Sequence, residues 1–208
     1  MLKIGKFVLS SCATNCYFVY EEGKKDVIFF DPGDQGELIY EKLKQAGFSV
    51  AAIYLTHGHF DHIGGCNELR KLSGAKVYAL DEEADICQDA KINLSEAFGR
   101  SYTVEPDGYV HDGDICTEAG ISFRVIATPG HTKGSCVFYF EEDGILVGGD
   151  TLFLESVGRT DFPTGSAASL VRNVREKLFV LPDEVKVFSG HGESTTIGHE
   201  KKYNPFLQ

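Results

Sequence analysis

A short run, LTHGHFDHIGG, concentrates side chains that bind metal ions: His57, His59, Asp61 and His62. On an α-helix, His57 and His59 would point about 200° apart and could not share one ion. An extended turn around the intervening glycine lets both imidazoles converge. Crowded imidazoles repel one another when protonated and gain little without a metal. This run therefore predicts a metal site in a turn between a strand and the next helix.

Three further metal-binding side chains follow predicted apolar strands. They are His131 in TPGHTKGS, Asp150 in VGGDT and His191 in SGHGES. Five of the seven histidines lie in such strand-end turns, and only His111 and His199 lie elsewhere. Two divalent ions about 3.5–4 Å apart need six or seven ligands, often with one bridging carboxylate. We therefore predict two divalent ions, zinc first, with iron or manganese also suited to imidazole and carboxylate ligands.

Several of these residues have a second interpretation. Asp61 can equally cap the helix that follows it, because aspartate is favoured at that position. Asp150 also suits ordinary turn chemistry. Asp31, in an Asp-Pro-Gly turn, either hydrogen-bonds a ligand imidazole or only makes the turn. Lys133 either attracts an anionic substrate or is a surface lysine.

Composition and charge disfavour several classes of partner. Hydrophobic residues make up 42% of the chain and charged residues 25%, as in ordinary globular proteins. A formal net charge of -11 would repel a nucleic-acid backbone, so we expect a small-molecule substrate.

The six cysteines lack CxxC spacing and are predicted to be reduced and mostly buried.

The N-terminal residues alternate between apolar and polar types, which predicts a strand and not an export signal. No run approaches the roughly 20 apolar residues of a membrane-spanning helix. We therefore expect a cytoplasmic protein with neither a membrane nor a nucleic-acid partner. The sequence indicates no particular oligomeric state.

Short apolar strands separated by helices make up most of the chain. Helices are predicted over about 36–47, 61–72 and 166–179. Residues 88–109 form an irregular polar segment, which we expect to cover one side of the molecule and shape a substrate pocket. The helices follow at intervals too short for a regular parallel βαβ series. The order predicts sheets in the middle and helices outside, in a single domain spanning 1–208.

Taken together, THGHFDH, TPGHT, GGD and SGHG resemble the metallo-β-lactamase superfamily, and the resemblance covers nearly the whole chain. It implies an α/β (α+β) fold, a four-layer αββα sandwich of two mixed sheets with external helices and metals at one edge. It also implies three ligands for a first metal, three for a second and one bridging ligand. These are His57, His59 and His131; Asp61, His62 and His191; and Asp150.

His131 and Asp150 match the glyoxalase II branch, the hydroxyacylglutathione hydrolases, and the chain is similar to its short bacterial subgroup. This resemblance implies hydrolysis of a thioester such as S-lactoylglutathione by a metal-bridging hydroxide, which Asp61 would orient as the catalytic residue. Arg159 falls where larger enzymes place a basic residue on a glutathione carboxylate, although a solvated surface arginine is equally consistent. We expect the C-terminal helical domain that grips glutathione in longer enzymes to be absent.

Three other functions share parts of this pattern. GRTDF also resembles the persulfide dioxygenases, which would hold one iron through His57, His131 and Asp150 and leave the second site unused. A metal-binding sensor without a substrate is the non-enzyme alternative. True β-lactamases typically have a cysteine among the second-metal ligands, which disfavours antibiotic hydrolysis. The complete second ligand set favours the two-metal hydrolase, with its thiol carrier left open.

Overall fold

The computed structural model describes residues 1–208, and the first six strands of the chain form one sheet in sequence order. They are β1 (Leu2–Leu9), β2 (Thr14–Glu21), β3 (Asp26–Phe30), β4 (Ser49–Tyr54), β5 (Lys76–Leu80) and β6 (Gly108–Val110). The strands β1 to β3 pair antiparallel, whereas β3 to β6 pair parallel. The sheet is therefore mixed.

The other eight strands form a second sheet and a small hairpin. They are β7 (Ile115–Glu118), β8 (Ile121–Ala127), β9 (Cys136–Phe140), β10 (Ile145–Gly149), β11 (Leu152–Phe153), β12 (Ser156–Val157), β13 (Lys186–Ser189) and β14 (Thr195–Thr196). The sheet has the order β14-β13-β10-β9-β8-β7, and β11 pairs only with β12. Only β10 and β13 pair parallel in this sheet, so it too is mixed.

Six short α-helices accompany these strands. They are α1 (Gly36–Gln45), α2 (Phe60–Ile63), α3 (Cys66–Ser73), α4 (Ala84–Gln88), α5 (Ala167–Asn173) and α6 (Ile197–Tyr203). The helix predicted over 61–72 is divided into α2 and α3 at Gly64 and Gly65. A side chain on either glycine would lie within 2.6 Å of a carbonyl oxygen of the turn that follows β3. The helix predicted over 166–179 is α5 followed by a π-helical turn, Val174–Leu178.

Three buried clusters show that the molecule has four layers. One packs α1 and α3 against the first sheet, one lies between the two sheets, and one packs α5 and α6 against the second sheet. In β3, Val27 and Phe29 belong to the first cluster, while Ile28 and Phe30 belong to the cluster between the sheets. This alternation buries both faces of the strand. The predicted αββα sandwich is confirmed.

The carboxyl ends of several strands meet at one edge of the sandwich. In the first sheet β3 and β4 are parallel, so both end at the same side. In the second sheet β10 is parallel to β13, and β8 runs in the direction of β10 because both pair antiparallel with β9. All seven predicted metal ligands lie in the turns after β4, β8, β10 and β13 or at the start of α2.

All six cysteines are free and four of them are buried, in agreement with the predicted reduced, mostly buried thiols. No helix combines the length and apolar character that crossing a membrane requires.

Candidate metal centre

The turn between β4 and α2 carries the first two predicted ligands. His57 and His59 lie between the end of β4 at Tyr54 and the start of α2 at Phe60. His59 has extended backbone geometry, with φ -62° and ψ 149°. Both imidazoles are buried, with 1% and 3% of the residue exposed. The predicted non-helical turn is confirmed.

His131, from the turn after β8, completes the first predicted ligand set. The candidate ligand atoms of His57, His59 and His131 all lie within 4.8 Å of one another. His59 Nδ1 is 2.9 Å from His131 Nε2. His131 Nδ1 donates to the Arg159 carbonyl at 2.7 Å, which orients the ring and leaves Nε2 for a ligand role.

The second predicted set combines two consecutive residues of α2 with the turn after β13. The candidate ligand atoms of Asp61, His62 and His191 also lie within 4.8 Å of one another. His191 Nε2 is 3.3 Å from Asp61 Oδ2 and 3.4 Å from His62 Nε2. Residues that are far apart in the chain are therefore brought into a second cluster beside the first.

Asp150 lies between the two sets. Its Oδ1 is 3.4 Å from His62 Nε2, and its Oδ2 is 3.4 Å from His191 Nε2 and 3.7 Å from His131 Nε2. Gly190 packs against this carboxylate. A side chain there would clash, because its Cβ would lie 2.3 Å from Asp150 Oδ1. One carboxylate thus contacts both ligand sets, the position that a bridging ligand requires.

Asp31 supports this centre from the first sheet. It accepts hydrogen bonds from the Thr56 amide at 2.7 Å, the Thr56 hydroxyl at 2.6 Å and His62 Nδ1 at 2.9 Å. Asp31, His57 and His62 also form a cluster of possible ligand geometry. Because both Asp31 oxygens already accept hydrogen bonds, we interpret it as a residue that orients His62. Of its two sequence-based interpretations, this favours the hydrogen bond to a ligand imidazole.

Thr14 contacts the predicted ligand Asp61, and the sequence did not predict this contact. It begins β2 and donates from its hydroxyl to Asp61 Oδ2 at 2.9 Å, across 47 positions of the chain. Both side chains are buried. Nothing in the local sequence around a threonine at a strand end distinguishes this role from ordinary β-propensity.

The imidazoles of the first set are neutral. Burial lowers the pKa of His57 well below its usual range, with a further contribution from the neighbouring histidines. Burial and the proximity of His131 lower the pKa of His59 to about 3. Burial also lowers the pKa of His131. A neutral imidazole keeps the lone pair with which it binds a metal.

The second set is charged in the metal-free protein. Burial opposes protonation of His62 and His191, yet Asp150 and Asp61 raise the pKa of His62 well above its usual range and that of His191 to about 9. For Asp61, burial raises the pKa, but His62 and His191 more than offset it and hold the value at about 2. Without a metal, the protonated imidazoles of His62 and His191 therefore supply the positive charge that balances these carboxylates.

The chemistry of these residues fits bound metal ions. Three buried side-chain atoms have no hydrogen-bond partner: His57 Nε2, His59 Nε2 and Asp150 Oδ1. Buried polar atoms in folded proteins are almost always paired, and all three of these belong to predicted ligands. Imidazole nitrogen and carboxylate oxygen together suit zinc, iron and manganese.

The two basic residues predicted to attract an anionic substrate are both engaged in ion pairs. Arg159 donates to the two carboxylate oxygens of Asp161 at 2.8 and 2.7 Å and lies 3.8 Å from the centre of the Phe162 ring. Lys133 is paired with Asp85. The Arg159 carbonyl therefore contacts the predicted ligand His131, whereas the Arg159 guanidinium is paired with Asp161 and is not a free cation.

The segment 88–109 contacts the helix that carries Asp61. The Phe60 amide of α2 donates to the Asn93 carbonyl at 2.9 Å. Phe98 stacks on Phe60 with ring centres 4.3 Å apart, although 58% of Phe98 is exposed. The segment thus packs beside the metal centre, and its contact with substrate stays a prediction.

Comparisons with known proteins agree with this architecture. The family model described as "Metallo-beta-lactamase superfamily" matches residues 10–191. The hydroxyacylglutathione hydrolase GloC of Haemophilus influenzae is 32% identical over 196 residues, which cover 93% of this chain and 92% of that protein.

Two solved structures superpose closely on the chain. The BLEG-1 B3 metallo-beta-lactamase has a TM-score of 0.94 and 36% identity, with 99% of each chain covered. TTHA1623, solved in a di-iron-bound form, has a TM-score of 0.88 and 31% identity, with 98% of this chain and 100% of that chain covered.

Proposed function

This chain belongs to the metallo-beta-lactamase superfamily, and from that membership and its His/Asp centre we propose that it is a two-metal hydrolase that cleaves a thioester such as S-lactoylglutathione. The observation that carries the two-metal proposal is the Asp150 carboxylate lying between two three-residue ligand sets. The similarity to a hydroxyacylglutathione hydrolase over 93% of the chain supports the thioester.

In this proposal His57, His59 and His131 would hold one metal, Asp61, His62 and His191 would hold the other, and Asp150 would be a ligand that both share. When bound, two divalent cations would supply activated water and a Lewis acid for the carbonyl. Zinc is our first expectation, with iron or manganese nearly as compatible with the residue types.

Asp61 would orient the attacking water. Its pKa of about 2 keeps it ionised at neutral pH, so it is a hydrogen-bond acceptor. The Thr14 hydroxyl donates to Oδ2 and restricts the rotation of the carboxylate. A negative, immobilised oxygen beside the reacting centre favours one orientation of the water.

A thioester suits a site without a dedicated general acid. A thiol has a pKa of about 8.5, so the thiolate leaves without first receiving a proton. The amine that leaves from an amide needs protonation in the transition state. A β-lactam is nevertheless the second candidate substrate. The BLEG-1 B3 metallo-beta-lactamase is 36% identical in sequence to this chain, with 99% of both chains covered.

The experiment that tests the proposal is elemental analysis combined with hydrolysis assays on the same purified sample. Two metals per chain with thiol release from S-lactoylglutathione would support it. One iron per chain without thiol release would point to the oxygenase alternative and overturn the second ligand set. Faster turnover of a chromogenic cephalosporin than of the thioester would replace the proposed substrate with a β-lactam.

The ion pair at Arg159 yields a prediction about the thiol carrier. We expect Asp161→Asn to raise kcat/KM for S-lactoylglutathione about two- to fivefold at low salt, the range of single exposed ion pairs. The substitution frees the Arg159 guanidinium for a glutathione carboxylate and removes a repelling charge. The measurement is kcat/KM for this substrate at two ionic strengths.

Asp183→Asn is the matched control for this charge change. Asp183 forms an exposed pair with Lys201, and its substitution alters the net charge equally. Equal effects of the two substitutions would mean that the freed Arg159 does not contact the carrier.

A further inference from the structure

Glu83 is a buried acidic residue outside the seven predicted ligands. It ends the 3₁₀ turn Asp81–Glu83 between β5 and α4, and only 1% of the residue is exposed. Burial raises the pKa of its carboxyl to about 7, although three hydrogen-bond donors favour the ionised form. Burying a carboxyl is costly unless it is hydrogen-bonded, and the three donors to Glu83 identify the turns that this carboxyl contacts.

One oxygen of Glu83 is bonded to the turn that holds the first two imidazoles. The amide of Gly58 donates to Glu83 Oε1 at 2.7 Å. Gly58 lies between His57 and His59, so this bond acts on the backbone that aims both rings.

The other oxygen is bonded to the turn that holds the third imidazole. The Thr132 hydroxyl donates to Glu83 Oε2 at 2.8 Å, and the Gly134 amide donates to the same oxygen at 2.9 Å. Thr132 directly follows His131. A single carboxylate therefore joins the two turns, which come from different sheets.

Both turns also press closely against the segment that carries Glu83. A Cβ on Gly58 would lie 2.9 Å from the Cys87 amide nitrogen, and one on Gly134 would lie 2.4 Å from the Glu83 amide nitrogen. Glycine at both positions permits this approach. The spacing of the turns is thus set by backbone packing as well as by the carboxylate.

We infer that Glu83 is a positioning residue for the first metal, holding the His57–His59 turn and the His131 turn at the separation at which three imidazoles bind one ion. The second set has separate support: Asp31 holds His62, Thr14 holds Asp61, and the Cys12 carbonyl accepts from His191. The inference rests on the metal centre of the proposed function and not on its substrate.

The test compares Glu83→Gln with a matched variant, Glu200→Gln. Glu200 is equally buried and also accepts three hydrogen bonds, from the Glu155 amide, the Thr195 hydroxyl and the Asn204 side chain. These contacts involve none of the predicted ligands. A general cost of removing a buried carboxylate would therefore be the same in both variants.

The readout is cobalt(II) binding to the metal-free proteins, followed by visible absorption. Each Gln substitution is made in the His191→Ala background, which keeps the first set intact, and in the His57→Ala background, which keeps the second. We expect Glu83→Gln to weaken cobalt binding about 10- to 100-fold in the first background only. Glu200→Gln should leave both affinities unchanged.

Thr132→Val provides a second route if Glu83→Gln does not fold. It removes one donor to Glu83 and leaves the carboxyl in place, so cobalt binding to the first set should weaken in the same selective way. Unchanged binding to the first set, or equal weakening of both sets, would overturn the inference. Lack of thioester hydrolysis by the wild-type protein would overturn the proposed substrate and leave the cobalt result unaffected.

Discussion

Replacement of Asp150 by asparagine is expected to lower kcat/KM for thioester hydrolysis by about 1000-fold or more, because bound metal ions stabilise hydrolytic transition states by several kcal/mol. The Asp150 carboxylate contacts His62, His131 and His191, so it touches both predicted sets. Asparagine keeps the shape but removes the negative charge that would offset repulsion between two adjacent cations. The measurement is kcat/KM together with elemental analysis of the same sample.

Asp183→Asn again provides the control, because Asp183 is an exposed carboxylate paired with Lys201. It should retain full activity and metal content. If Asp150→Asn retained two metals per chain and activity comparable with that of the control, the bridging role would be wrong.

Replacement of His191 by alanine should abolish thioester hydrolysis, again with a loss of about 1000-fold or more, and should remove one of the two metals. His191 contributes Nε2 at 3.3 Å from Asp61 and 3.4 Å from Asp150. Without it the second set keeps only two of its own members, whereas the first set is complete. The expected product is an inactive protein with one metal per chain.

The same variant separates the hydrolase from the mononuclear alternative. A persulfide dioxygenase would use His57, His131 and Asp150 and would therefore tolerate His191→Ala. His57→Ala should inactivate the protein under either mechanism, which makes it the positive control. His111→Ala is the matched histidine control, because the His111 side chain is 63% exposed and pairs only with Asp114. Undiminished hydrolysis by His191→Ala would contradict the two-metal proposal.

Much of the fold could be predicted because it depends on short-range patterns. Apolar runs that end in Asp or Gly predicted the buried strands, and helical spacing predicted α1 and the region of α5. The break between α2 and α3 could not be predicted, because Gly64 and Gly65 are required by carbonyl oxygens about 30 positions away in the chain. A local pattern contains no information about that approach.

The metal ligands could be predicted from the sequence because their residue types are those that bind metal ions. Histidine and aspartate clustered at strand ends predicted a metal site, and the structure brings all seven of these residues together. Glu83 and Thr14 gave no such signal, because a glutamate in an acidic turn and a threonine in a strand are common. Their partners become visible only after the sheets have packed.

Residue types and their spacing along the chain predicted the metal-binding side chains, the superfamily to which the chain belongs, and the layered architecture. Three features depend on tertiary contacts: Asp150 lies between the two sets, Asp31 orients His62, and Arg159 is paired with Asp161. Residue type and local spacing determine what a side chain can bind, whereas the order and packing of distant strands determine which partners lie within hydrogen-bond or ligand distance.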